Sequence, residues 1–92
     1  MKAILTYETV VCGEKIEETR LFDTEKSTKI CDAKNSYGVV MHEIHISKTG
    51  ILFTYDKKRN VICVADQEEE KKWIGEHEPD KYIEFFGKPE EA

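Results

Sequence analysis

Residues 37–65 read YGVVMHEIHISKTGILFTYDKKRNVICVA. Three segments rich in Val, Ile, Phe and Tyr are separated by two polar stretches, SKTG and DKKRN. Short β-branched and aromatic runs bounded by turn formers read as strands. The stretch therefore predicts a three-stranded antiparallel meander. Side chains alternate along a strand, so Val40, His42, Ile44 and Ile46 share one face and Val39, Met41, Glu43 and His45 the other. Gly50 falls where the first turn needs left-handed backbone. Ile51, Phe53 and Tyr55 share a face of the second strand. The third, VICVA, is apolar on both faces, which predicts a central or covered strand.

Upstream, residues 3–12 (AILTYETVVC) alternate in the same way, and Gly13-Glu14 suits a two-residue type II′ turn with Gly first. That turn sets Cys12 opposite Lys15, Val11 opposite Ile16, Tyr7 opposite Arg20 and Leu5 opposite Phe22. Leu5, Val11, Ile16 and Phe22 then share one face of a hairpin over residues 1–22. Residues 23–36 (DTEKSTKICDAKNS) hold turn formers and little apolar material beyond Ile30 and Cys31. They predict an irregular segment, with either a short helical turn capped by Asp23 or Thr24 or a short strand near Ile30. Long loops without regular structure tend to carry function in compact domains.

Downstream the pattern changes to DQEEEKKWIG. Asp66 is a good helix N-cap, and Glu69 three residues on resembles a capping box. Acids in the first turn and Lys71-Lys72 later match the helix dipole. Gly75 predicts the stop. PDKYIEFFG predicts a second helix, with Pro79 in its first turn and Gly87 just past its end. Tyr82, Ile83, Phe85 and Phe86 lie at helical spacing, so this helix should dock on the sheet. Residues 88–92 should fray. The expectation is one α+β domain over residues 1–92. It has an antiparallel sheet of about five strands and two short helices in an acidic region over residues 66–87.

A chain of 92 residues makes one domain with a thin stability margin. Its 39% hydrophobic and 10% aromatic content excludes the disordered class. No apolar run is long enough to predict a membrane span. The opening MKAILTYETVV is too interrupted by polar residues to read as a signal peptide. Cys12, Cys31 and Cys63 are odd in number and far apart. They predict free thiols in a reducing cytoplasm rather than a disulfide scaffold.

The chemistry-bearing residues point weakly to catalysis. His42 and His45 are three apart, and on a strand they face opposite ways. They cannot share a metal, and one packed and one surface histidine are expected. No short Cys or His pair preorganises a tetrahedral site around Cys12, Cys31, Cys63 or His77. A catalytic cysteine needs a depressed pKa and a base beside it. Cys63 lies in an apolar strand, which works against this. Cys31, in the polar middle segment, is better placed. There is no phosphate-binding glycine loop and no nucleophile elbow. Lys57, Lys58 and Arg59 read as a solvated turn, and a pI of 5.2 argues against direct nucleic-acid binding. Tyr37, Phe53 and Tyr55 read as core or half-buried residues rather than a stacking platform.

Charge is the most distinctive feature. Residues 66–92 carry ten acids and four bases, against nine acids and ten bases in residues 1–65. Glu68, Glu69, Glu70, Glu76, Glu78, Asp80 and Glu84 would lie along the two helices and attract a partner protein with a basic surface, such as a nucleic-acid-binding protein. In size and charge the chain is similar to small phage-encoded inhibitors of CRISPR effectors and restriction systems, although no motif carries the likeness. The leading expectation is a non-enzymatic interaction module without metal or cofactor. The alternative is a small metal-binding or Cys/His-dependent enzyme using Cys31, Cys63, His42 or His77.

Overall fold

The computed structural model describes residues 1–92. The chain is α+β, with two antiparallel sheets and two C-terminal helices arranged as three layers. In chain order the elements are β1 (Lys2–Val11), β2 (Glu14–Asp23), β3 (Thr28–Lys34), β4 (Val40–Ile46), β5 (Leu52–Asp56), β6 (Val61–Val64), α1 (Gln67–His77) and α2 (Pro79–Phe86). The strands β1 and β2 form a separate two-stranded sheet, while β3-β4-β5-β6 form the central one. There are thus six strands rather than about five. The additional one, β3, lies in the segment whose sequence predicts irregular structure.

The hairpin turns one residue earlier than Gly13-Glu14 predicts. Cys12 and Gly13 both have positive φ, at 52° and 81°. That is the signature of a type I′ turn, whose twist matches the strands it joins. The pairing slides by two residues. Leu5 faces Arg20, Tyr7 faces Glu18 and Val11 faces Glu14, and Cys12 sits in the turn itself. A slide of two preserves which residues share a face. Leu5, Val11, Ile16 and Phe22 therefore stay together, but only the base of the hairpin packs. Phe22 is buried, whereas Val11 and Ile16 remain exposed near the tip.

The inner hairpin face meets one side of the central sheet. Phe22, Phe53 and Ile62 form this core, flanked by Ala3, Leu5, Tyr7 and Val64. Phe22 packs edge-on against Phe53 with ring centroids 5.2 Å apart. The opposite side of the sheet meets the helices through Ile30, Ala33, Ile44, Leu52 and Ile74. A bulge between Lys29 and Cys31 lets Ile30 and Cys31 both pack on that core. Phe53 and Ile44, on neighbouring strands, bury themselves on opposite faces, so the central sheet is covered on both sides.

The strand β6 is an edge strand, not a central one. Ile62 is buried under the hairpin, while Val61 and Cys63 are exposed on the other face. Its four residues leave Leu52 without a full partner, and Gln67 fills the gap. The Gln67 side chain accepts from Leu52 N at 2.7 Å and donates to Leu52 O at 2.8 Å, as a paired strand residue would.

Asp66 caps α1 by accepting from Glu69 N at 3.2 Å. The helix does not stop at Gly75 but continues to His77. Gly75 marks a close approach of the two helices: a Cβ there would lie 3.3 Å from the Tyr82 ring of α2. Pro79 forces the break instead, and Gly87, at φ 89°, ends α2. Tyr82, Phe85 and Phe86 are half-buried against the helix-side core, while Ile83 is exposed. No helix is long and apolar enough to cross a membrane.

Candidate functional site

The two helices separate the seven carboxylates into distinct settings. On α1, Glu68, Glu69 and Glu76 are exposed, with Lys72 on the same side one turn before Glu76. Glu70 is one turn before the buried Ile74 and so faces the sheet. Burial raises its pKa, and the nearby His42 acts the other way. Glu78, between the helices, is exposed but lies close enough to raise the pKa of Cys31. Asp80 and Glu84 are exposed on α2, where Glu84 pairs with Lys81 at 3.6 Å. Of the seven, only Glu84 has an ion-pair partner within 4.0 Å.

The residues of the enzymatic alternative are scattered. Cys31 packs at the seam between β3 and the helices. Burial, then Glu78, Asp32 and Glu70, push its thiol from an ordinary 9.0 to about 11. At neutral pH it is protonated, the wrong state for a nucleophile. Cys63 is exposed on the open face of β6 rather than enclosed in an apolar strand. His77 stacks on Trp73, ring centroids 4.3 Å apart, and donates from Nδ1 to the Trp73 carbonyl at 3.0 Å. His42 is half-buried on the helix side and His45 buried on the hairpin side, so the two do face opposite ways. No three His, Cys, Asp or Glu side chains converge as a metal site requires. Tyr37, expected as core or half-buried, is 89% exposed in the β3–β4 loop.

One constellation is not apparent from sequence spacing. His45, only 4% exposed, stacks on Phe53 with centroids 5.3 Å apart. Its Nε2 donates to Glu43 Oε1 at 2.9 Å, and Ser27 Oγ lies 2.8 Å from Nδ1. Lys29 Nζ reaches the other Glu43 oxygen at 3.9 Å and Asp32 at 2.8 Å. Ser27–His45–Glu43 has the connectivity of a nucleophile, base and orienting acid. Acyl transfer would also need spare donors for an oxyanion. The adjoining backbone N–H groups of Lys26 and Ser27 are both spent on the Asp23 carbonyl, at 3.2 and 3.1 Å. What the trio does visibly is satisfy a buried imidazole and tie the turn before β3 onto β4. Its signal in the sequence is faint: the strand alternation puts Glu43 and His45 on one face, but nothing brings Ser27 to them.

Comparisons with protein-family models, curated proteins and solved structures found no match to this chain.

Proposed function

We propose that this chain is a non-enzymatic protein-interaction module, an inhibitor or adaptor whose acidic helices dock on a basic surface of a partner protein. The carrying observation is the set of exposed carboxylates without intramolecular partners: Glu68, Glu69, Glu76, Glu78 and Asp80. Unpaired like charges on one helical pair repel one another, and a cationic surface relieves that repulsion. Glu84 contributes less because Lys81 already faces it. Glu70 acts from behind, adding field rather than direct contact. A nucleic-acid-binding partner supplies such a surface, and the sharper form of the proposal is an anti-CRISPR-like mimic of a phosphate backbone. A cytoplasmic setting belongs to the same proposal, supported by three free thiols. The protonated Cys31 gives no support to a cysteine-dependent enzyme.

Affinity capture from a lysate of the native host tests this. The bait is wild type or a variant with Glu68, Glu69, Glu76, Glu78 and Glu84 changed to Gln and Asp80 to Asn. The proposal expects a basic protein retained by wild type at low salt and lost by the variant. The same proteins captured equally by both baits would contradict it.

A further inference from the structure

We propose a second site, independent of the acidic helices: a cleft that binds a phosphate-bearing small molecule. It lies on the hairpin side of the central sheet and has a volume of about 420 Å³. The end of β2, the turn before β3 and the β4–β5 turn form its walls. Three cations line it, Arg20, Lys26 and Lys48, against a single carboxylate, Asp23. In a chain of net charge −5, this is a local reversal of sign.

The cations are available to a ligand. Lys26 and Lys48 have no ion-pair partner. Arg20 is paired with Glu18 through Nε at 3.2 Å, so the two lysines carry most of the free positive charge of the cleft. Asp23 is largely buried and already accepts from Glu25 N at 3.0 Å. Two unpaired ammonium groups from different turns, with a guanidinium on the same cleft, suit a tetrahedral phosphate, which accepts donors from several directions.

Ser27 adds a positioned hydroxyl. It lines the same cleft and is held from behind by His45 at 2.8 Å and the Thr24 carbonyl at 3.1 Å. With His45 Nε2 donating to Glu43, the Ser27 hydroxyl donates to Nδ1, and a ligand oxygen that takes this proton in place of His45 would change the surroundings of the imidazole. The volume exceeds what a bare phosphate fills and falls in the range of small-molecule sites. Leu21 and Ile51, also in the lining, would support the organic body of the ligand. A nucleotide or sugar phosphate has this combination of anion and body.

The test is an NMR titration of the ¹⁵N-labelled full chain with inorganic phosphate, pyrophosphate, adenosine monophosphate and a short single-stranded oligonucleotide. Saturable shifts at the amides of Lys26, Ser27 and Lys48, with the nucleotide tighter than bare phosphate, are the expected result. Changing Lys26→Glu and Lys48→Glu together should weaken binding about tenfold or more. Both lysines are exposed, so the fold should persist, and the spectrum itself reports it. The pair Lys57→Glu and Lys58→Glu, in the β5–β6 loop, should bind as wild type does. Ser27→Ala should weaken binding and also abolish the ligand-induced shift of the His45 ring, which simple charge attraction would leave unmoved. Absence of saturable shifts would overturn the assignment. So would equal loss in the loop variant, or binding of the oligonucleotide alone.

Discussion

At the scale of single residues, Cys31 shows how the acidic helices act on the fold beneath them. Its thiol is half-buried on the helix-side core, with Glu78, Asp32 and Glu70 near it. Burial and these carboxylates both disfavour the thiolate, which lifts the pKa to about 11. Alkylation with iodoacetamide at pH 8 should therefore modify the exposed Cys12 and Cys63 well before Cys31, as read by peptide mass spectrometry. A Cys31 that reacts as fast as the other two would contradict this geometry. The linkage has a definite sign. The folded chain holds the Cys31 proton more tightly than the unfolded chain does, so the stability it contributes is complete below pH 9 and lost as pH rises toward 11. A Cys31→Ala variant should lose less melting temperature than wild type across that window. The polar neighbours of Cys31 in sequence suggest an accessible thiol. The burial comes from the bulge before it and from α1 above it, and a single strand pattern reveals neither.

At the scale of elements, the two turns next to glycine separate what a sequence discloses from what it hides. The Gly13 hairpin was legible as a hairpin because residues 3–12 and 15–22 alternate, and its face assignment survived the slide. The turn type was not, because either position of Gly gives a permitted turn and Cys12 carries no preference for positive φ. The cost of Cys12 in the left-handed region is a testable consequence. Changing Cys12→Asn makes the Asn-Gly pair that type I′ turns favour. It should raise stability by about 0.5–1 kcal/mol, a melting shift of roughly 2–8 °C for a domain of this size. An unchanged or lower melting temperature would contradict the I′ geometry. Gly75 gives the converse case. Glycine near a helix end reads as a stop, but here it is an approach point for Tyr82, a contact between helices that local pattern cannot express. Similarly, a strand near Ile30 was only one of two readings of residues 23–36, because a strand with Asp32, Lys29 and Lys34 needs its neighbour β4 before its pairing is visible.

At the scale of the whole molecule, charge is unevenly spread. The helices carry five exposed carboxylates without ion-pair partners, Glu68, Glu69, Glu76, Glu78 and Asp80, and the hairpin side carries the cationic cleft. This division was partly legible, since the excess of acids over residues 66–92 is plain in the composition. Which of those acids face outward depended on helix phase, and the cleft depended on how three elements meet. If the helical face recruits a basic partner, long-range attraction should act mainly on encounter rather than on residence. Screening weakens that attraction over about 8 Å at physiological ionic strength. Exposed carboxylates add little to folding stability, so their removal should leave the melting temperature near wild type. The decisive measurement is a salt series of association and dissociation rates against the captured partner. It compares wild type with the variant carrying Gln at Glu68, Glu69, Glu76, Glu78 and Glu84 and Asn at Asp80. The predicted result is an association rate for wild type that exceeds the variant's by about tenfold or more at low salt, converging as salt rises, with similar dissociation rates. Equal association rates at low salt would contradict the account and leave the acidic helices as a solvated face.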